Sequence, residues 1–249
     1  MILLVDAGNT RLKWACLTPK GMEEGGACPA RDATALAAAW AHLSPGRAIV
    51  SVVSGESVKA AILAQPALRG VPVHWLISQA RAHGLINAYQ PPESLGSDRY
   101  AALIAARRRF DGPCLVVGAG TAITADMLGD KGVFLGGCIA PGLALMRESL
   151  ALGTAGVGRQ DAPCSDAPLD TASAVGTGVQ LAVLGVISGM RERLGRHAGM
   201  PPGRAAPQVI LTGGSGSGLL PFVEAPAVMA EGLVLEGLAW VARDLGYVD

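Results

Sequence analysis

Ile2 to Leu17 reads ILLVDAGNTRLKWACL, and this stretch decides the fold. Four apolar residues, Ile2 to Val5, make a strand. Polar chemistry at Asp6, Gly8, Asn9 and Thr10 interrupts it, and a second strand runs from Leu12 to Leu17. A plain hairpin needs less than this. Exposed amides and hydroxyls in such a turn can cradle an anion. After Asp111-Gly112-Pro113 the pattern returns as CLVVGAGTAITADML, Cys114 to Leu128, where VDAGNT becomes VGAGTA. The repeat predicts two halves built from one duplicated unit.

The rest of the chain fits an α/β reading. A helical Ala33 to Leu43 precedes strands at Ile49 to Val53 and Val71 to Ile77, and alternation of this kind indicates a layered, largely parallel sheet. YQPPESLG, Tyr89 to Gly96, is broken by its prolines into a loop. It leads into the helical SDRYAALIAARRRF, with Ser97 or Asp98 at the cap position. Beyond the second hairpin come a strand at Val133 to Ile139, a helix after Pro141-Gly142, and a loop from Gly153 to Asp170. A long helix carrying Val175, Val179, Ala182, Val183, Val186 and Met190 on one face follows. The HAGMPPGRAAP loop (197–207) leads to strand Val209 to Thr212, which runs into GGSGSG, and a last helix spans about Glu231 to Leu245. The expected division is an N-terminal lobe over 1–112 and a C-terminal lobe over 113–249.

Bulk composition removes several classes. With 249 residues the chain can bury its own core. Twenty basic residues balance twenty acidic ones, so no overall field draws it to nucleic acid or an acidic membrane. Five scattered cysteines form no C-x-x-C pair, and the histidines show no zinc spacing. The four tryptophans are dispersed, which argues against a base-stacking surface. The apolar stretch Val179 to Met190 is shorter than the roughly 20 residues of a membrane span, and no basic leader precedes Ile2, so the cytoplasm is the expected location.

Gly-rich turns follow strands three times, near Gly8, Gly120 and Gly214. One alone is usually a tight turn; three at equivalent strand ends favour a phosphate clamp made by two halves. There is no Walker loop, no G-x-G-x-x-G after a strand and no G-x-S-x-G elbow. Asp6 can hold Mg²⁺ through water or can simply accept turn N–H groups. Lys13 can reach a phosphate or stay solvated. Asp98, in G-S-D-R at a helix start, suits a base accepting a hydroxyl proton during phosphoryl transfer, although a helix cap is the commoner use of such a residue. Arg99 can clasp a carboxylate or face water. Arg107, Arg108 and Arg109 answer the dipole at the other helix end.

Together DAGNTRLKW, GSDR at Gly96 to Arg99, GAGTAITAD and GGCIAPGLALMRESLALGTAGV resemble the type III pantothenate kinase family, in order and over nearly the whole chain. The resemblance implies a duplicated two-lobed actin-like ATPase (ribonuclease H-like) fold with mixed sheets flanked by helices. It implies phosphorylation of pantothenate by ATP with Mg²⁺, towards coenzyme A, in a homodimer. By that resemblance Asp6, Ala7, Gly8, Asn9, Thr10, Arg11, Leu12 and Lys13 form the first phosphate motif, and Thr121 is a second nucleotide contact. Tyr89, Gly96, Ser97, Asp98, Arg99 and Thr177 match pantothenate positions, with Asp98 as proton acceptor. The family commonly has an aspartate, which helps bind potassium or ammonium, where this chain has Gly118. That departure motivates a second reading, a nucleotide-binding regulatory protein with its chemistry weakened or lost; the intact GSDR and Tyr89 count against it.

Overall fold

A computed structural model describes residues 1–198 and 206–248, so the loop expected over 197–207 lies mostly outside the described residues. The chain forms two compact units, Met1–Arg109 with Gly232–Asp249, and Phe110–Glu231.

Unit 1 begins with strands β1 (Ile2–Ala7), β2 (Arg11–Thr18) and β3 (Gly21–Pro29), then helix α1 (Ala33–Trp40), β4 (Arg47–Val52), α2 (Glu56–Leu63) and β5 (Val73–Trp75). The sheet order is β3-β2-β1-β4-β5: the first three strands are antiparallel, and β4 and β5 run parallel to β1. Alternation along β1 sends Leu3, Val5 and Ala7 into a core with Trp14, Trp40, Val50 and Ile62, under α1 and α2. Trp14 and Trp40 meet edge to face at 6.2 Å. The β1 positions between these turn the other way, so Leu4 and Asp6 lie on the opposite face. A short hairpin, β6 (Arg81–Ala82) with β7 (Leu85–Asn87), precedes α3 (Ser97–Arg109). Helix α3 packs against β4.

Unit 2 repeats the plan. Strands β8 (Cys114–Ala119), β9 (Ala122–Leu128) and β10 (Val133–Pro141) are antiparallel; helices α4 (Leu143–Gly153) and α5 (Thr171–His197) follow. Then come β11 (Gln208–Thr212), the one-turn helix α6 (Gly216–Leu219) and β12 (Ala227–Met229), with β11 parallel to both β8 and β12. The order β10-β9-β8-β11-β12 matches β3-β2-β1-β4-β5 strand for strand. Strands β1 and β8 even share one burial pattern. An Asp170 capping box opens α5, whose Val183, Ile187 and Leu194 are buried in the core with Leu115 and Ala125 of the sheet. At 27 residues this helix is long and apolar enough to cross a membrane by length and composition, which corrects the shorter stretch expected from the sequence.

The last helix, α7 (Leu233–Asp244), belongs to unit 1 rather than to the C-terminal lobe assigned from the sequence. It buries Leu233, Leu238 and Val241 and crosses α3 so closely that a Cβ on Gly237 would overlap the Ala101 carbonyl. The arginines ending α3 also serve this contact: Arg108 pairs with Asp244 at 2.8 Å and Arg109 with Glu236 at 3.1 Å. Local sequence could not show this long-range pairing. Strand β3 was also missed, because its glycines weaken the strand signal. They are there for packing: a Cβ on Gly26 would overlap the Trp14 ring.

Candidate active site

The first hairpin and the loop before α3 supply one polar cluster in unit 1. Asp6 is in register with Lys13 of β2 and with Ser51 of β4. Direct cross-strand partners point to the same face, so the three side chains form a row across the sheet. The Asp6 carboxyl is pushed up from 3.8 to about 7, first by burial and then by the charge of Asp98, with Lys13 opposing. Two carboxylates are therefore neighbours here, beside one lysine.

Helix α3 fixes Asp98. Tyr100 N–H donates to the Gly96 carbonyl at 2.9 Å, closing the first turn, and Arg99 N–H donates to Asp98 Oδ1 at 2.8 Å. That oxygen lies 2.7 Å from where a Cβ on residue 96 would stand, so only glycine lets the carboxylate take this pose. Ser97 is buried, with its Oγ 2.9 Å from Ser51 Oγ and 3.4 Å from the Val52 carbonyl. Arg99 is also buried, not solvated, and its Nη1 donates to the Tyr89 hydroxyl at 3.3 Å. Asn87 shapes the loop that presents Tyr89: its Nδ2 donates to the Pro92 carbonyl at 2.9 Å, and its Oδ1 accepts from Tyr89 N–H at 3.0 Å. Sequence reading missed Asn87 and Ser51. The one signal for Ser51 was a hydroxyl inside the apolar run AIVSVV.

Within the first turn, Gly8 N–H donates to the Arg11 carbonyl at 3.1 Å, leaving Asn9, Thr10 and Arg11 exposed at the tip while Ala7 and Leu12 are buried behind it. Its counterpart in unit 2 carries Thr121, also exposed, whose carbonyl accepts from Gly142 N–H at 2.9 Å. Packing requires glycine there. A Cβ on Gly142 would overlap the Gly120 and Thr121 carbonyls, and one on Gly213 would lie 2.6 Å from the Ala119 oxygen. Thr177 lies on α5 of unit 2, where its Oγ1 accepts from Ser165 N–H at 2.9 Å and donates to the Ser165 carbonyl at 3.2 Å.

Gly118 occupies in β8 the place Asp6 has in β1. It is in register with Thr124 and Thr212, so the equivalent row carries no charge. A Cβ on Gly118 would stand 2.6 Å from Thr124 Oγ1, which has taken the space of a larger side chain. The donors for a cation on this strand do not fit. Among the described residues no group of three or more His, Cys, Asp and Glu could hold a metal ion. Asp6 beside Asp98 does fit Mg²⁺, which keeps most of its waters and needs only one or two carboxylates.

This duplicated sheet, with a buried carboxylate at the end of its first strand, defines the actin-like ATPase (ribonuclease H-like) class of α/β proteins. Solved structures share the fold: one from Campylobacter jejuni assigned to the Baf family of transcriptional activators has a TM-score of 0.65 at 22% identity, covering 99% of this chain and 100% of that one. One from Sinorhizobium meliloti assigned as a 2-dehydro-3-deoxygalactonokinase has a TM-score of 0.62 at 14% identity, covering 98% and 99%. The model of the type III pantothenate kinase family matches residues 2–193. Type III pantothenate kinases from Laribacter hongkongensis and Methylobacillus flagellatus are each 39% identical, the first over 98% of this chain and 99% of its own, the second over 98% of both. The chain belongs to the type III pantothenate kinase family.

Proposed function

We propose that the protein transfers the γ-phosphoryl group of ATP to the primary hydroxyl of pantothenate, giving 4'-phosphopantothenate, the first step towards coenzyme A. The observation that carries this is Asp98, posed over Gly96 at the start of α3 and close enough to charge-couple with buried Asp6. The hydroxyl oxygen bonds to the γ-phosphorus, the bond from phosphorus to the β,γ-bridging oxygen breaks, ADP leaves, and the hydroxyl proton passes to Asp98. Positioning and charge stabilisation supply most of the acceleration.

Asp6 would hold Mg²⁺ through water, and the ion would neutralise phosphate charge. The segment Asp6 to Lys13 binds phosphates through its turn amides and the lysine, and Thr121 is a further nucleotide contact. Tyr89, Gly96, Ser97, Arg99 and Thr177 bind pantothenate, with the Arg99 guanidinium as partner for its carboxylate. With Gly118 and Thr124 filling the place of an acidic side chain, activation by potassium or ammonium is weak. The chain acts as a homodimer: α5 leaves most of its apolar stretch unburied, and Leu152, Leu169 and Leu181 of unit 2 are exposed at 83%, 94% and 59%. The site needs neither nucleic acid nor a membrane, which fits a cytoplasmic enzyme.

Asp98→Asn tests the base. General-base catalysis contributes about 10²- to 10⁴-fold, so kcat for pantothenate-dependent ADP release falls by that order while the thermal melt stays in place. Unchanged turnover in a folded variant rejects the assignment.

A further inference from the structure

Strand β4 is apolar apart from Arg47 at its start and Ser51 near its end, and Ser51 is 0% exposed. A hydroxyl in such a place must find a partner. Register puts it beside Asp6, on the face of the sheet that α3 covers. Its partner is Ser97, first residue of α3, at 2.9 Å. Ser97 Oγ also lies 3.4 Å from the Val52 carbonyl, and that oxygen can only accept. The single Ser97 proton therefore goes to Val52, and the Ser51 proton goes to Ser97. The result is a directed chain from Ser51 through Ser97 to the Val52 backbone, buried throughout. It ties the strand carrying Ser51 to the residue immediately before Asp98.

We propose that Ser51 is a positioning residue for phosphoryl transfer: its hydroxyl anchors Ser97 and so sets the height of Asp98 above the Lys13, Asp6 and Ser51 row. This rests on the assignment of Asp98 as proton acceptor. Ser51 touches no reacting atom. Its effect passes through the first turn of α3, where the absence of a Cβ on Gly96 makes room for the Asp98 carboxylate. Loss of the anchor lets that turn shift, and misplacement of about 1 Å near reacting groups can cost a hundredfold in rate.

The experiment uses Ser51→Ala, Ser97→Ala, the double variant, and Ser51→Cys, which keeps nearly the same volume with a weaker donor. In Ser51→Ala, kcat for pantothenate phosphorylation falls about ten- to a hundredfold, while KM for ATP and the melting temperature stay near wild type. Ser51→Cys recovers part of the loss. The double variant is no worse than Ser97→Ala alone, the non-additivity of two groups in one chain. Hydrogen exchange at the Ser97 to Tyr100 amides speeds up in Ser51→Ala, a readout that needs no activity. Should wild type release no ADP with pantothenate, the base assignment fails, and the exchange result alone still decides the anchoring claim. Unchanged exchange at those amides overturns the proposal. So does a Ser51→Ala variant with full kcat, or one whose loss follows melting temperature alone and is additive with Ser97→Ala.

Discussion

Asp6→Asn should make the ligand-free protein more stable, and increasingly so as pH rises. The native Asp6 carboxyl titrates at about 7 against 3.8 without the fold, chiefly because burial disfavours its charge. Between those values the native state keeps a proton that the unfolded chain has released. Stability from this group is therefore complete below about pH 4 and drains away as pH climbs through 7. At about 1.4 kcal/mol for each pH unit, the total is about 4 kcal/mol by pH 8. Asparagine carries no charge and loses nothing. Urea titrations of metal- and nucleotide-free protein at a series of pH values measure the gap, and since Trp14, Trp40, Trp75 and Trp240 all lie in unit 1, their fluorescence follows the relevant unit. The variant and wild type should agree near pH 4, diverge between about pH 4 and 7 and keep a constant gap above that, while the variant loses kinase activity. Parallel pH curves between about pH 4 and 7, or a gap below about 1 kcal/mol at pH 8, would falsify the claim that burial and the charge of Asp98 hold a proton on Asp6 against the pull of Lys13.

Two further outcomes follow from close contacts. Gly237→Ala forces a methyl into the Ala101 backbone between α7 and α3; overpacking of this kind costs about 1–3 kcal/mol, so a thermal scan should show a clear drop, and an unmoved transition refutes the close crossing. Replacing potassium by sodium at constant ionic strength should leave turnover nearly unchanged because residue 118 offers no carboxylate, whereas a strict potassium requirement contradicts that reading.

Much of this was legible because it is written locally. The alternation of ILLVDA and CLVVGA and the turn residues after each sit within a few residues of the structure they specify, whereas the cap expected at Ser97 or Asp98 falls to Gly96, since α3 already begins at Ser97. The duplication showed for the same reason, and it reappears as one five-strand order present in both units. What escaped depends on partners far away in sequence. Strand β3 looks too glycine-rich until Trp14 is seen lying against Gly26, and the allegiance of α7 is decided by Ala101 and by arginines more than a hundred residues upstream. At the candidate site, Asp6 and Lys13 were marked by charge beside apolar strand residues, and Asp98 by its place in G-S-D-R at a helix start. Ser51 and Asn87 act through neutral hydrogen bonds, and neither a hydroxyl nor an amide announces its partner in a linear string.

The matched strands β1 and β8 set a limit on redesign. The fifth residue of each, Asp6 and Gly118, faces a different pair of neighbours, Lys13 and Ser51 in one sheet, Thr124 and Thr212 in the other. An acid grafted at 118 by itself meets the Thr124 hydroxyl at 2.6 Å from its first side-chain carbon. A cation ligand on that strand thus displaces the Thr124 hydroxyl from its present place, and trimming the threonine as the carboxylate arrives removes the conflict.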